Sequence, residues 1–125
     1  MPAARSIAAL VVDDQQSMRA MARLVLKEIG VIDVAVAASA DAAWELLMAK
    51  KFDVVISDLN MPEVSGVEFA QRVKAHPDLK SIPFFLATSN AYRDQAGDAV
   101  DHFVAKPFVV ADLKQALDTH LGALS

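Results

Sequence analysis

FDVVISDLNMP (52–62) is the stretch whose reading decides the fold. Val54, Val55 and Ile56 are apolar at successive positions, so both faces of the segment are covered. That is the signature of a strand in a parallel sheet with helices on either side. The strand then ends on Asp58, where the chain breaks out into Leu59-Asn60-Met61-Pro62. In open α/β sheets, ligands bind at the carboxyl ends of the strands, so this acid sits where chemistry is expected.

Outward from that strand, apolar runs alternate with helical periodicity. Residues 7–12 read as a strand ending at Asp13-Asp14. In 17–29, Met18, Met21, Ala22, Val25 and Ile29 share one helical face, and Gly30 suits the C-cap. Arg19, Arg23 and Lys27 read as a solvated stripe. A second strand covers 33–37. Ser39 or Asp41 then caps a helix through Lys50, with Ala43, Leu46 and Leu47 inward and Trp44 and Met48 packing on its flank.

Ser65 caps a third helix that buries Phe69, Ala70 and Val73 and ends near His76-Pro77. Residues 84–87 form a fourth strand running into Thr88-Ser89, and 93–100 a short, weak helical segment. A fifth strand, 102–105, reaches Lys106-Pro107. The last helix, 111–121, is expected to bury Val110, Leu113, Leu117 and Leu121. The pattern is βα repeated five times, a (βα)5 doubly wound α/β domain with a parallel five-stranded sheet. A single domain over 1–125, with its core in 7–121 and no separate output domain, is expected.

The 125 residues are 54% hydrophobic and 22% charged, enough apolar material for one core. A net charge of −4 argues against nucleic acid or a membrane surface as partner. With no cysteine, disulfides and thiolate metal sites are excluded. No apolar stretch approaches the roughly 18 residues of a membrane span, and the N-terminus lacks a leader pattern. A cytoplasmic location is expected. His76, His102 and His120 show no metal-ligand spacing and read as surface residues.

The strand ends converge on one crevice. Asp13 and Asp14 arrive from the first strand, Asp58 and Asn60 from the third, Thr88 from the fourth and Lys106 from the fifth. Three carboxylates against one ammonium leave about two negative charges, which is costly away from water. Oxygen donors without His or Cys suit Mg²⁺, and a backbone carbonyl near Asn60 could complete the shell. Beside such an ion, Asp58 is placed as a nucleophile toward phosphorus, with Lys106 and Thr88 to meet the phosphoryl oxygens.

In combination, VVDD (11–14), SDLNMP (57–62), Ala87-Thr88-Ser89 and Lys106-Pro107-Phe108 resemble the receiver domains of bacterial response regulators, most closely single-domain chemotaxis receivers of the CheY type. The resemblance covers 7–121. It implies the flavodoxin-like, CheY-like strand order 2-1-3-4-5, with Asp58 as phosphoacceptor, and Asp13, Asp14, Asp58 and the Asn60 carbonyl as Mg²⁺ ligands (Mn²⁺ as a possible substitute). Thr88 and Phe103 are implied as the moving switch pair, Lys106 as the phosphate-binding cation, and Lys106-Pro107 as a cis bond. Asn60 and Asn90 become candidates for setting signal lifetime.

Two departures stand out. His102 occupies a position where the receiver pattern has glycine. The 18 positions from Thr88 to Lys106 fall about one helical turn short of the pattern, so the intervening helix is expected to be short. The implied partners are a histidine kinase or phosphotransfer protein and an unknown downstream protein, the chain being a monomer that catalyses only its own phosphorylation and dephosphorylation. The alternatives are a haloacid-dehalogenase-type phosphatase, which resembles DxD where this chain has Asn60, and a non-phosphorylated adaptor.

Overall fold

Successive residues of a strand point to opposite faces, and here that alternation splits the apolar residues into two cores. A computed structural model describes residues 3–61, 63–88 and 99–122. After a 3-10 turn, Ala4–Ser6, come five strands: β1 (Ala8–Val12), β2 (Asp33–Ala37), β3 (Val54–Asp58), β4 (Phe84–Thr88) and β5 (His102–Ala105). They form one sheet in the order β2-β1-β3-β4-β5, and all four pairings are parallel. This is the expected topology.

Four helices are described: α1 (Gln16–Ile29), α2 (Ala40–Ala49), α3 (Gly66–Ala75) and α4 (Val110–Leu121). On one face, Ala9, Val11, Ile56, Phe85 and Val104 meet Ala22, Val25 and Leu26 of α1 and Leu113, Ala116 and Leu117 of α4. On the other, Leu10, Val12, Val55, Phe84 and Leu86 meet Ala43 and Leu47 of α2 and Phe69, Ala70 and Val73 of α3. Phe69 and Phe84 are fully buried and touch edge to face, centroids 5.6 Å apart. Each such ring contributes about 1.5–3 kcal/mol through burial alone, on a par with the buried Leu, Val and Ile side chains around it.

Local chemistry fixes the helix ends. The Ser39 hydroxyl accepts from the Ala42 amide at 3.1 Å, so Ser39 and not Asp41 is the α2 cap. Ser65 and Glu68 form a reciprocal capping box at α3, which satisfies two otherwise orphaned amides. Gly30, at φ 109°, ends α1 in the left-handed conformation that glycine tolerates.

The inward faces are narrower than the periodicity suggests. Met21, Met48 and Val110 are 40%, 49% and 38% exposed, against the expectation that they pack. Leu26 and Ala116, not singled out by the sequence reading, are fully buried instead. At α4 the buried set is Leu113, Ala116 and Leu117, one stripe of spacing i, i+3, i+4, and Val110 in the first turn falls at its margin. Leu121 packs only partly against the core. The segment expected as a helix at 93–100, its shortening and Asn90 lie in or across residues outside those described.

Candidate functional site

The parallel register brings the carboxyl ends of the strands to one edge: Val12 pairs with Ser57, Asp58 with Ala87 and Thr88 with Ala105. The residues just past or at those ends line an open crevice of about 530 Å³. Its walls include Asp14, Asp58, Asn60, Thr88 and Lys106. The Lys106-Pro107 peptide is cis, as the resemblance implied.

Lys106 is the electrostatic centre. Its Nζ donates to Asp13 Oδ2 at 3.0 Å and to Asp58 Oδ1 at 2.9 Å. The side chains of the two acids are only 3% and 11% exposed, so water screens this triad weakly. Burial lifts the Asp58 carboxyl above its ordinary 3.8; the Lys106 hydrogen bond opposes that rise, and the charge of Asp13 adds to it. Burial works against the Lys106 ammonium, but its hydrogen bonds to Asp58 and Asp13 outweigh it, and the lysine is held above 10.5.

Asp13 also organises the backbone. Its Oδ1 accepts from the Gln15 amide at 2.9 Å and its carbonyl accepts from Arg19 Nη1 at 2.8 Å. Gln15, the α1 cap, makes no side-chain cap bond, so Asp13 settles the entry to the helix from outside. Arg19 is therefore tethered to the site and is not part of a solvated stripe.

The donor set suits a hard divalent ion. One carboxylate oxygen from each of Asp13, Asp14 and Asp58 lies within 4.8 Å of the others. Oxygens sharing one Mg²⁺ are about 2.9–4.2 Å apart, so a small side-chain adjustment closes the set. No histidine or cysteine joins it among the described residues, and that favours Mg²⁺ over softer metals.

A sequence pattern described as "Response regulator receiver domain" matches residues 9–118. The chain belongs to the response regulator receiver family. Chemotaxis protein CheY-3 of Vibrio cholerae is 33% identical over 113 residues, 87% of each chain. Among solved structures, the chemotaxis protein CheY4 of Vibrio cholerae is similar with a TM-score of 0.83 and 32% identity, over 92% of this chain and 99% of that one. The response regulator TrrA of Thermotoga maritima, solved in complex with Mg²⁺-BeF, gives a TM-score of 0.80 and 30% identity, over 90% and 97%. The chain is thus a CheY-like receiver domain of two-component signalling.

Within this receiver, Asp13, Asp14, Asp58 and Lys106 come together as the sequence suggested, with Thr88 and Asn60 on the same crevice wall. Thr88 is 4% exposed, and its carbonyl accepts from the Lys106 amide at 3.2 Å. Phe103 lies elsewhere: it pairs with Leu86 in register and packs, partly buried, on the α2/α3 side of the sheet.

Two receiver residues escaped the sequence reading. A Cβ on Gly66 would collide with the Asp58 carbonyl and come 2.6 Å from Leu86 Cδ1. Only glycine lets α3 start this close to β3; a glycine directly after the Ser65 cap was the available signal. Ser57, fully buried, donates from Oγ to the Asp58 carbonyl at 3.0 Å.

Proposed function

We propose that this receiver is a phosphorylation switch in which Asp58 accepts a phosphoryl group from a partner histidine kinase or phosphotransfer protein. The observation that carries this reading is Lys106 bridging Asp58 and Asp13 beside a cluster of hard oxygen ligands. Asp13, Asp14, Asp58 and the Asn60 carbonyl would hold Mg²⁺, which when bound supplies positive charge beside the phosphoryl oxygens.

An Asp58 carboxylate oxygen attacks phosphorus, the donor's bond to phosphorus breaks, and the leaving group takes that electron pair. Lys106 then passes its hydrogen bond from the carboxylate to a phosphoryl oxygen, and Thr88 donates to another. Phe103 follows Thr88, which reshapes the nearby surface for a downstream protein. The change is a population shift driven by contacts that only the phosphorylated state offers. The chain acts on no external substrate beyond its phosphodonor. Asn60, at the mouth of the crevice, and Asn90 tune how water reaches the acyl phosphate. A kinase partner places the receiver in the cytoplasm.

Incubation with acetyl phosphate and Mg²⁺, read by intact mass, tests this. One phosphoryl group per chain is expected, absent in Asp58→Ala and without Mg²⁺. Labelling that survives Asp58→Ala refutes the assignment. Steady turnover of a phosphomonoester with no stoichiometric label would point instead to a phosphatase.

A further inference from the structure

His102 opens β5 and His120 lies in the last turn of α4, at the sheet edge opposite the acidic crevice. Both are half-buried, contrary to their expected place on the surface. Nδ1 of His102 is 3.1 Å from Nε2 of His120. The two rings meet at 84° with centroids 5.1 Å apart. The buried Phe85 ring contacts both, at 5.5 Å and 5.2 Å.

We propose that this imidazole pair is a second cation site, selective for a borderline transition-metal ion such as Zn²⁺ or Cu²⁺. Two nitrogens bound to one such ion at about 2.0–2.1 Å are about 2.9–3.4 Å apart, from right-angled to tetrahedral geometry. The observed 3.1 Å falls inside that range. The Phe85 wall holds both rings in place, so little side-chain freedom is lost on binding. Imidazole donors select Zn²⁺ and Cu²⁺ over Mg²⁺, which keeps this site chemically separate from the hard-oxygen crevice.

The step balances without a co-reactant. In the neutral pair one facing nitrogen carries a proton and the other accepts it. On binding, that proton passes through solvent to the outer nitrogen of the same ring, and both facing lone pairs go to the metal. No third His, Asp or Glu completes a ligand group there among the described residues, so water fills the remaining positions. The ion would staple the start of β5 to the end of α4.

Zn²⁺ titrated calorimetrically into the whole chain under excess Mg²⁺ should show one site. His102→Gln and His120→Gln should each weaken it by about tenfold or more. The Cu²⁺ complex of the wild type should show electron paramagnetic resonance couplings to two imidazole nitrogens, a readout that stands even if a variant fails to fold. Absence of binding up to about 1 mM Zn²⁺, equal affinity in both folded variants, or an oxygen-only Cu²⁺ spectrum would each overturn the proposal.

Discussion

Gly66 is packed against the main-chain carbonyl of Asp58, closer than any residue with a Cβ could come, while its own amide donates to the Leu59 carbonyl at 2.8 Å. The start of α3 is thus seated on the backbone at the end of β3. Gly66→Ala must push helix and strand apart, and a collision with backbone relaxes less readily than one with a side-chain tip. A loss of about 1–3 kcal/mol is expected, read from the urea midpoint, together with slower phosphorylation by acetyl phosphate. Wild-type stability in the variant would mean that α3 shifts freely.

Divalent ion binding should stabilise the fold by mass action. At 100 times Kd, Mg²⁺ is expected to add about 2.7 kcal/mol, seen as a higher melting temperature. Asp13→Asn retains an oxygen acceptor for the Gln15 amide but loses the charge, so most of the Mg²⁺ gain should vanish with α1 intact. An undiminished shift in that variant would exclude Asp13 as a ligand.

In the absence of divalent ions, Asp58 should make stability fall with rising pH. Its folded carboxyl holds a proton at pH values where the unfolded chain, near 3.8, has released it. The folded state binds more protons across that window, so stability declines from 3.8 upward through the raised folded value. Asp58→Asn has no such proton. The wild-type-minus-variant difference in denaturation free energy should therefore drop across that window and then level. For Lys106, held above 10.5, the contribution is present below 10.5 and is lost as pH rises through the folded value. A flat difference in the acidic range would contradict the Asp58 assignment.

Lys106→Met leaves Asp13 and Asp58 facing each other without their cation. Removing one partner of a buried ion pair costs about 3–5 kcal/mol, and the crevice is open to water, so about 3 kcal/mol is expected by chemical denaturation. Mg²⁺ should bind more tightly to this variant, because a competing positive charge has gone, while phosphorylation slows. Weaker Mg²⁺ binding would show that the lysine organises the acids instead of competing for them.

The sheet and most of the crevice were legible because β1, β3, β4 and β5 are each an apolar run closed by a polar residue. Asp13, Asp58, Thr88 and Lys106 are those closing residues, and a parallel sheet collects them at one edge. What stayed hidden depends on packing between distant elements. The demand for glycine at 66 exists only because α3 lands on β3. The His102–His120 contact joins residues 18 apart in the chain through a strand and a helix. Met21, Met48 and Val110 satisfy helical periodicity yet are exposed, because each helix buries a stripe narrower than its apolar content. Arg19 looked like one of three evenly spaced cations; its bond to the Asp13 carbonyl follows from the turn before α1.

The sheet order has a mechanical consequence. The acids ride on β1 and β3, each flanked by strands on both sides, whereas the lysine follows β5, which among the described residues is a rim strand paired with β4 alone. Anions are mounted on the stiff middle and their counter-ion on the compliant border. Any rearrangement of this trio should therefore originate at the lysine's end, with the carboxylates acting as the fixed anvil.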